Sequence, residues 1–157
     1  MKFGIELGFQ LPRPWSRESE AELYESRLTI AELADQLGFD SLWVEEHHFL
    51  EEYCHLSSPE VFLAACTQRT TQIRLGFGVM LLPPMINNPV RSAEKVAALD
   101  LLAKGRVEFG VGSSSDRLGT TAWGVDWDKR QEMTEEVLGQ VARMMVEEPY
   151  RGYDGVH

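Results

Sequence analysis

The densest chemistry in the chain lies in Glu45-Glu46-His47-His48-Phe49. An imidazole titrates near neutral pH, so a positioned histidine can donate or accept a proton under ordinary conditions. His47 is the candidate for that work; the competing reading is that both histidines are hydrogen-bonded loop residues. Glu45, Glu46, His47, His48, Cys54 and His55 are also metal-ligand types. Neighbouring side chains of an extended chain point to opposite faces, however, so consecutive ligands seldom converge on one ion, and no metal site is expected. Two glycine-containing runs add a second kind of chemistry. In Gly76-Phe77-Gly78-Val79 the missing side chains either let a flat ring approach the backbone or serve sheet packing alone. In Gly112-Ser113-Ser114-Ser115 the backbone N–H groups and hydroxyls either offer donors to a phosphate or a ring carbonyl or form a turn.

The elements that must position these runs can be read from periodicity and breakers. Residues 3–9 alternate apolar with small or polar side chains and are closed by Pro12 and Pro14, which predicts a strand. Residues 19–37 carry an apolar helical face and end at Gly38. A strand over 40–45 is centred on Leu42-Trp43-Val44, and Ser58-Pro59 starts a helix through about residue 69. Residues 73–82 form a nearly continuous apolar run, suited to a parallel strand buried on both faces and stopped by Pro83-Pro84. Pro89 opens a helix to Ala103, Gly105 breaks it, and 107–111 is the fourth strand. The segment 116–126 reads as a loop, with Trp123 and Trp127 as candidate pocket walls or ordinary packing, before a helix over 129–147. Successive βα units specify a parallel sheet with right-handed crossovers, and ligands bind at its carboxyl edge, where all three runs fall. An open doubly wound sheet and a (β/α)₈ barrel share this local pattern.

At 157 residues the chain can bury one core, and 43% hydrophobic with 25% charged residues is the ordinary globular balance. A net charge of −10 without clustered Lys or Arg argues against nucleic acid and anionic membranes as partners. No apolar run approaches the length of a membrane span, and Met1-Lys2 leads straight into the first strand, so a cytoplasmic protein is expected. Cys54 and Cys66 are expected as reduced thiols.

Motif order carries a further signal. Asn88-Pro89-Val90-Arg91, Ser92-Ala93-Glu94, Ala98-Leu99-Asp100, Lys104-Gly105-Arg106 and Phe109-Gly110-Val111-Gly112 follow one another as they do in the bacterial luciferase-like, flavin-dependent monooxygenases, which the chain resembles over nearly its whole length. The resemblance implies a TIM barrel, reduced FMN with oxygen as co-reactant, and a small organic substrate. The branch that uses a deazaflavin coenzyme for hydride transfer is the alternative. It also implies that His47, first histidine of Glu46-His47-His48-Phe49, is catalytic and that Glu46 supports it. Gly78-Val79 matches the pair that forms a bulge with a non-prolyl cis peptide against the flavin ring. Gly112, Ser113 and Ser114 stand at the cofactor contact after the fourth strand; bacterial luciferase has a Cys-Arg pair where this chain has Gly112-Ser113. Arg91, Glu94, Asp100 and Arg106 are expected to be structural.

A (β/α)₈ barrel needs about 250 residues, so residues 1–157 are expected to hold only its first four βα units, an amino-terminal half-barrel in a single domain. Such a half leaves its outer strands with unpaired edges and an apolar face without a partner layer, which predicts a homo-oligomer. A non-catalytic flavin-binding or assembly module is the competing functional class.

Overall fold

Four parallel strands lie side by side in the order in which the chain makes them. The computed structural model describes residues 1–157. It runs β1 (Gly4–Leu7), α1 (Ser19–Gln36), β2 (Ser41–Val44), α2 (Pro59–Thr67), β3 (Arg74–Leu81), α3 (Pro89–Ala103), β4 (Val107–Gly112), α4 (Arg117–Ala122), a 3₁₀ turn (Trp127–Lys129) and α5 (Arg130–Val146). The sheet order β1-β2-β3-β4 has no reversal, which a doubly wound sheet requires, and is the order of successive barrel strands. The helices α1, α2, α3 and α5 pack each against the next along one face.

Local signals account for most boundaries. Asn88 caps α3, its side chain accepting from Val90 N and Arg91 N, with Pro89 in the first helical position. Lys104 (φ 57°) and Gly105 (φ 81°) then turn the chain into β4, and Gly38 (φ 80°) does the same after α1. The expected loop over 116–126 contains α4, a short helix started by Asp116, whose carboxylate accepts from Leu118 N and Gly119 N.

Register decides what each face carries. The rungs Ile5–Leu42–Leu75–Val107 and Leu7–Val44–Phe77–Phe109 face the helices and form the heart of the core with Phe9, Phe62 and Leu63. The alternate rung Glu6–Trp43–Gly76–Glu108 faces away from them, with Ser41 and Arg74 on the rung below. The expectation of an apolar uncovered face, and of a third strand apolar on both sides, is therefore corrected. Glycines made residues 73–82 look apolar throughout, but Gly76 and Gly78 mark the uncovered side, where Trp43 lies across them and Arg74 pairs with Glu108.

The amino-terminal ends of the strands are tied by three buried or half-buried polar groups. Arg106 donates to Thr70 Oγ1 (3.0 Å), Ile73 O (2.7 Å) and Ala103 O (2.8 Å), while Asp100 accepts from Val107 N (3.1 Å). Arg91 and Glu94 pair on the surface of α3. Asp35, at the end of α1, accepts from the N–H groups of Thr71, Gln72 and Ile73 at 2.8, 2.9 and 2.6 Å. Burial opposes its charge, but these donors and the Thr71 hydroxyl outweigh burial and hold the carboxyl below the usual aspartate range. A depressed folded pKa means the stabilisation is complete above the unfolded value and is lost as pH falls through the folded one. Asp35→Asn is expected to lower unfolding free energy by about 2 kcal/mol at neutral pH. In urea titrations the gap to wild type should narrow below about pH 4; an equal gap at both pH values would remove the carboxylate's charge as the cause.

Candidate active site

Alternation continues past the end of β2 and sends the four residues after Val44 in two directions. Glu46 and His48 turn one way. Glu46 is 5% exposed, and its carboxylate accepts from Leu81 N (2.8 Å) and Asn87 Nδ2 (3.1 Å) and meets His48 Nε2 at 3.0 Å. Asn87 also donates to Leu81 O (2.8 Å) and accepts from Lys95 Nζ (3.2 Å), which pairs with Glu60 at 2.8 Å. A buried carboxylate needs such donors, and here they join the tips of β2 and β3 to the start of α3. His48 packs edge-on against Trp123, 5.3 Å between ring centroids.

Glu45 and His47 turn the other way. His47 Nε2 lies 3.3 Å from Glu45 Oε2, with side chains 17% and 12% exposed, and the imidazole meets the Tyr53 ring edge-on at 5.2 Å. The carboxylate beside His47 is thus Glu45, and Glu46, expected to support His47, holds His48 and the strand tips instead. The second oxygen of Glu45 is buried without a partner. Cys54 lies nearby; burial, and then the field of Glu45, push its thiol up to about 12 against the lowering by the Leu56 N–H. Burial likewise pushes Cys66 up to about 12, and both cysteines are unpaired, as expected.

Across from His47, β3 bulges. Its pairing with β4 passes from Phe77–Phe109 directly to Met80–Val111, so Gly78 and Val79, joined by a cis peptide bond, drop out of the ladder. The bulge sets which glycines are needed on β4. A Cβ on Gly110 would overlap the Phe77 carbonyl oxygen, and one on Gly112 would lie 2.6 Å from Val79 Cγ2. Gly112 makes room for Val79, and the glycines of the Phe109-Gly110-Val111-Gly112 motif serve sheet packing.

Glu45, His47, Tyr53, Gly78, Val79 and Ser114 surround a cavity of about 260 Å³, with Glu46 at its edge. Of the candidate residues, Glu46, His47, Gly78, Val79 and Ser114 meet there; Gly112 and Ser113 do not line it. The Ser114 hydroxyl is engaged in a turn, accepting from Asp116 N (3.0 Å) and donating to Asp116 O (3.2 Å). A larger hollow of about 570 Å³ lies away from this site, between α3, β4 and Met145. Its charged residues are occupied, Arg74 by Glu108 and Asp100 by Val107 N, so it offers nothing for proton transfer. Three site residues lay outside the sequence-based set. For Glu45 the available signal was strand alternation, which sets it on the His47 side, and for Tyr53 only nearness in sequence; Asn87 had no signal, since its role depends on where β3 ends.

A run of parallel βα units in barrel order, with a histidine and a backbone bulge at its carboxyl edge, is a (β/α)-barrel type of framework. The family model for luciferase-like monooxygenase matches residues 1–157, and the chain belongs to that family. It is 36% identical over 138 residues to limonene 1,2-monooxygenase of Rhodococcus erythropolis, covering 86% of this chain and 35% of that protein. The crystal structure of monooxygenase RslO1 from Streptomyces bottropensis superposes with a TM-score of 0.84 at 34% identity, covering 94% of this chain and 44% of that one. The oxygenating constituent of 3,6-diketocamphane monooxygenase from Pseudomonas putida, solved with FMN, shares the fold at a TM-score of 0.80 and 22% identity, over 92% of this chain and 39% of that one. The chain spans about a third of the length of the curated relatives it matches.

The bulge packing gives a direct test. Gly110→Ala should destabilise the chain by about 1–3 kcal/mol, because backbone of β3 must move to admit the methyl group. Gly139→Ala on α5, where a Cβ meets nothing within 4 Å, should stabilise by about 0.5–1 kcal/mol. Thermal melts of both variants check the contrast; equal melting temperatures would contradict the close approach at Gly110.

Proposed function

We propose that the chain forms the catalytic-histidine side of a flavin-dependent monooxygenase that uses reduced FMN and oxygen on a small organic substrate. The observation that supports it is the convergence of His47 and the Gly78-Val79 bulge on one cavity. The residues fit a flat ring: the bulge frees two peptide units from the ladder beside a glycine, and small Ser114 and Ser115 also line the cavity. Gly78 and Val79 would carry the ring, and Ser114, set by the Gly112-Ser113 strand end, would bound its edge. FMN, when bound, supplies the electrons and the oxygen activation. His47 holds or moves the proton: its Nε2 faces Glu45, which leaves Nδ1 for the reacting molecule. Glu46 acts at a distance from the chemistry by fixing the strand tips that carry both groups.

Homo-oligomeric assembly and a cytoplasmic setting belong to the same proposal. The support for the first is that β1 and β4 lie at the margins of the sheet with unpaired edges. The two buried, unpaired thiols suit a reducing compartment, and no helix is long and apolar enough to cross a membrane.

Titration of the chain with reduced FMN, oxidised FMN and a deazaflavin coenzyme tests the reading, together with oxygen uptake using decanal and cyclohexanone as probe substrates, on this chain and on any longer protein that contains it. Reduced FMN should bind, and His47→Ala should keep that affinity while slowing substrate-dependent oxygen uptake by about 10²- to 10⁴-fold. Deazaflavin binding without oxygen uptake would favour the hydride-transfer alternative. Flavin binding without turnover in either protein would favour the assembly module, and undiminished uptake by His47→Ala would remove the histidine from the mechanism.

A further inference from the structure

The cavity at His47 shares part of its lining with an outer neighbour. The inner one, about 260 Å³, reaches the Gly78-Val79 bulge. An outer one, about 370 Å³, opens among Phe49, Leu50, Glu51 and Asp116. They share His47, Tyr53 and Ser115, and the Tyr53 ring stands edge-on to the imidazole, at an interplanar angle of 83°. We infer that Tyr53 is a specificity-determining wall of the substrate subsite, and that this subsite takes an uncharged, apolar small molecule; the inference rests on the monooxygenase reading of the same site.

Three observations carry it. Phe49 and Tyr53 are 64% and 52% exposed, and both open on the outer cavity with Leu50, so large apolar surface is gathered at the one place where a proton-handling residue waits. The loop that presents them is fixed. Cys54 N donates to Leu50 O (3.1 Å), Leu11 N donates to Glu52 O (3.1 Å), and Arg13 pairs with both Glu51 and Glu52. A wall held this way is formed before the ligand arrives, which keeps the ordering cost of binding low. The third observation is electrostatic. The outer cavity has Glu51 and Asp116 but no Lys or Arg in its lining, so an anionic ligand there meets repulsion. A cation gains little either, because the outer carboxylates are engaged, Glu51 by Arg13 and Asp116 by Leu118 N (3.0 Å) and Gly119 N (2.6 Å). Glu45 and Glu6 line only the inner cavity, and Glu45 faces His47. In the outer cavity, repulsion of one sign and occupied partners for the other leave the neutral molecule favoured.

The test is calorimetric titration of the 157-residue chain, as wild type, Tyr53→Phe and Tyr53→Ala, with three probes of one shape and different charge: cyclohexanone, cyclohexanecarboxylate and cyclohexylammonium. Reduced FMN is titrated into each protein in parallel, and the His47 imidazole is followed by NMR. Wild type and Tyr53→Phe should bind cyclohexanone with affinities within about twofold of each other and each charged probe at least about tenfold more weakly, and cyclohexanone should move the His47 signal. Tyr53→Ala should lose about tenfold for cyclohexanone and most of that signal shift. Equal cyclohexanone binding by wild type and Tyr53→Ala, equal binding of the carboxylate, or no binding of any probe overturns the inference. If FMN binds in that case, the monooxygenase reading survives it. Tyr53-dependent ketone binding without FMN binding would instead leave the wall assigned and sink the flavin reading.

Discussion

The site depends on one buried charge. Glu46 sits where β2 ends and is almost fully withdrawn from water, so its carboxylate must find donors inside the protein. It finds them on the last residue of β3 and on Asn87, and through Asn87 it reaches Lys95 and Glu60 on the neighbouring helices. The pull of that charge brings the tip carrying His47 against the tip carrying the Gly78-Val79 bulge. Without it two adjacent strand ends would be free to splay, and the cavity between them would have no fixed width.

A second constraint acts on the sheet. The bulge takes two residues out of the β3 ladder and swings the Phe77 carbonyl toward β4, where only a glycine at 110 admits it, while Gly112 makes room for Val79. The glycine motif of β4 is therefore a packing answer to the backbone of β3. It shapes the cavity only by allowing the neighbouring strand to present its freed peptide units. Seen this way, the amino-terminal clamps of Asp35, Asp100 and Arg106 and the carboxyl-terminal clasp of Glu46 share one task, holding four strand ends in register at both edges.

Much of the fold was legible because its signals are local. Asn88-Pro89, Gly38 and Gly105 mark helix ends through capping and left-handed backbone, and these work within a few residues. α4 escaped because six residues carry too little periodicity, although Asp116 is an ordinary helix-starting residue. The chemistry of His47 was legible from residue type, but its partner was not. Glu45 and Glu46 are adjacent in sequence, and only the pleat separates the one that faces His47 from the one that clasps β3. The apolar reading of the uncovered face failed for a related reason: a glycine counts as apolar in a run, yet here it marks the side where a ring lies. Strand order, long-range and non-periodic, became legible through family resemblance alone.

That ring is Trp43. Its indole lies over Gly76, comes within 3.3 Å of a Cβ built on Gly4 and 3.4 Å of one built on Gly110, and donates to Ser41 Oγ at 3.0 Å. One side chain therefore occupies volume contributed by four strands. A methyl group at position 76 would collide with the indole, so a larger residue there requires a smaller one at 43. The indole thus fills the space that the glycine of β3 leaves open, while Gly110 answers first to the Phe77 carbonyl and Gly4 first to the Ser41 hydroxyl.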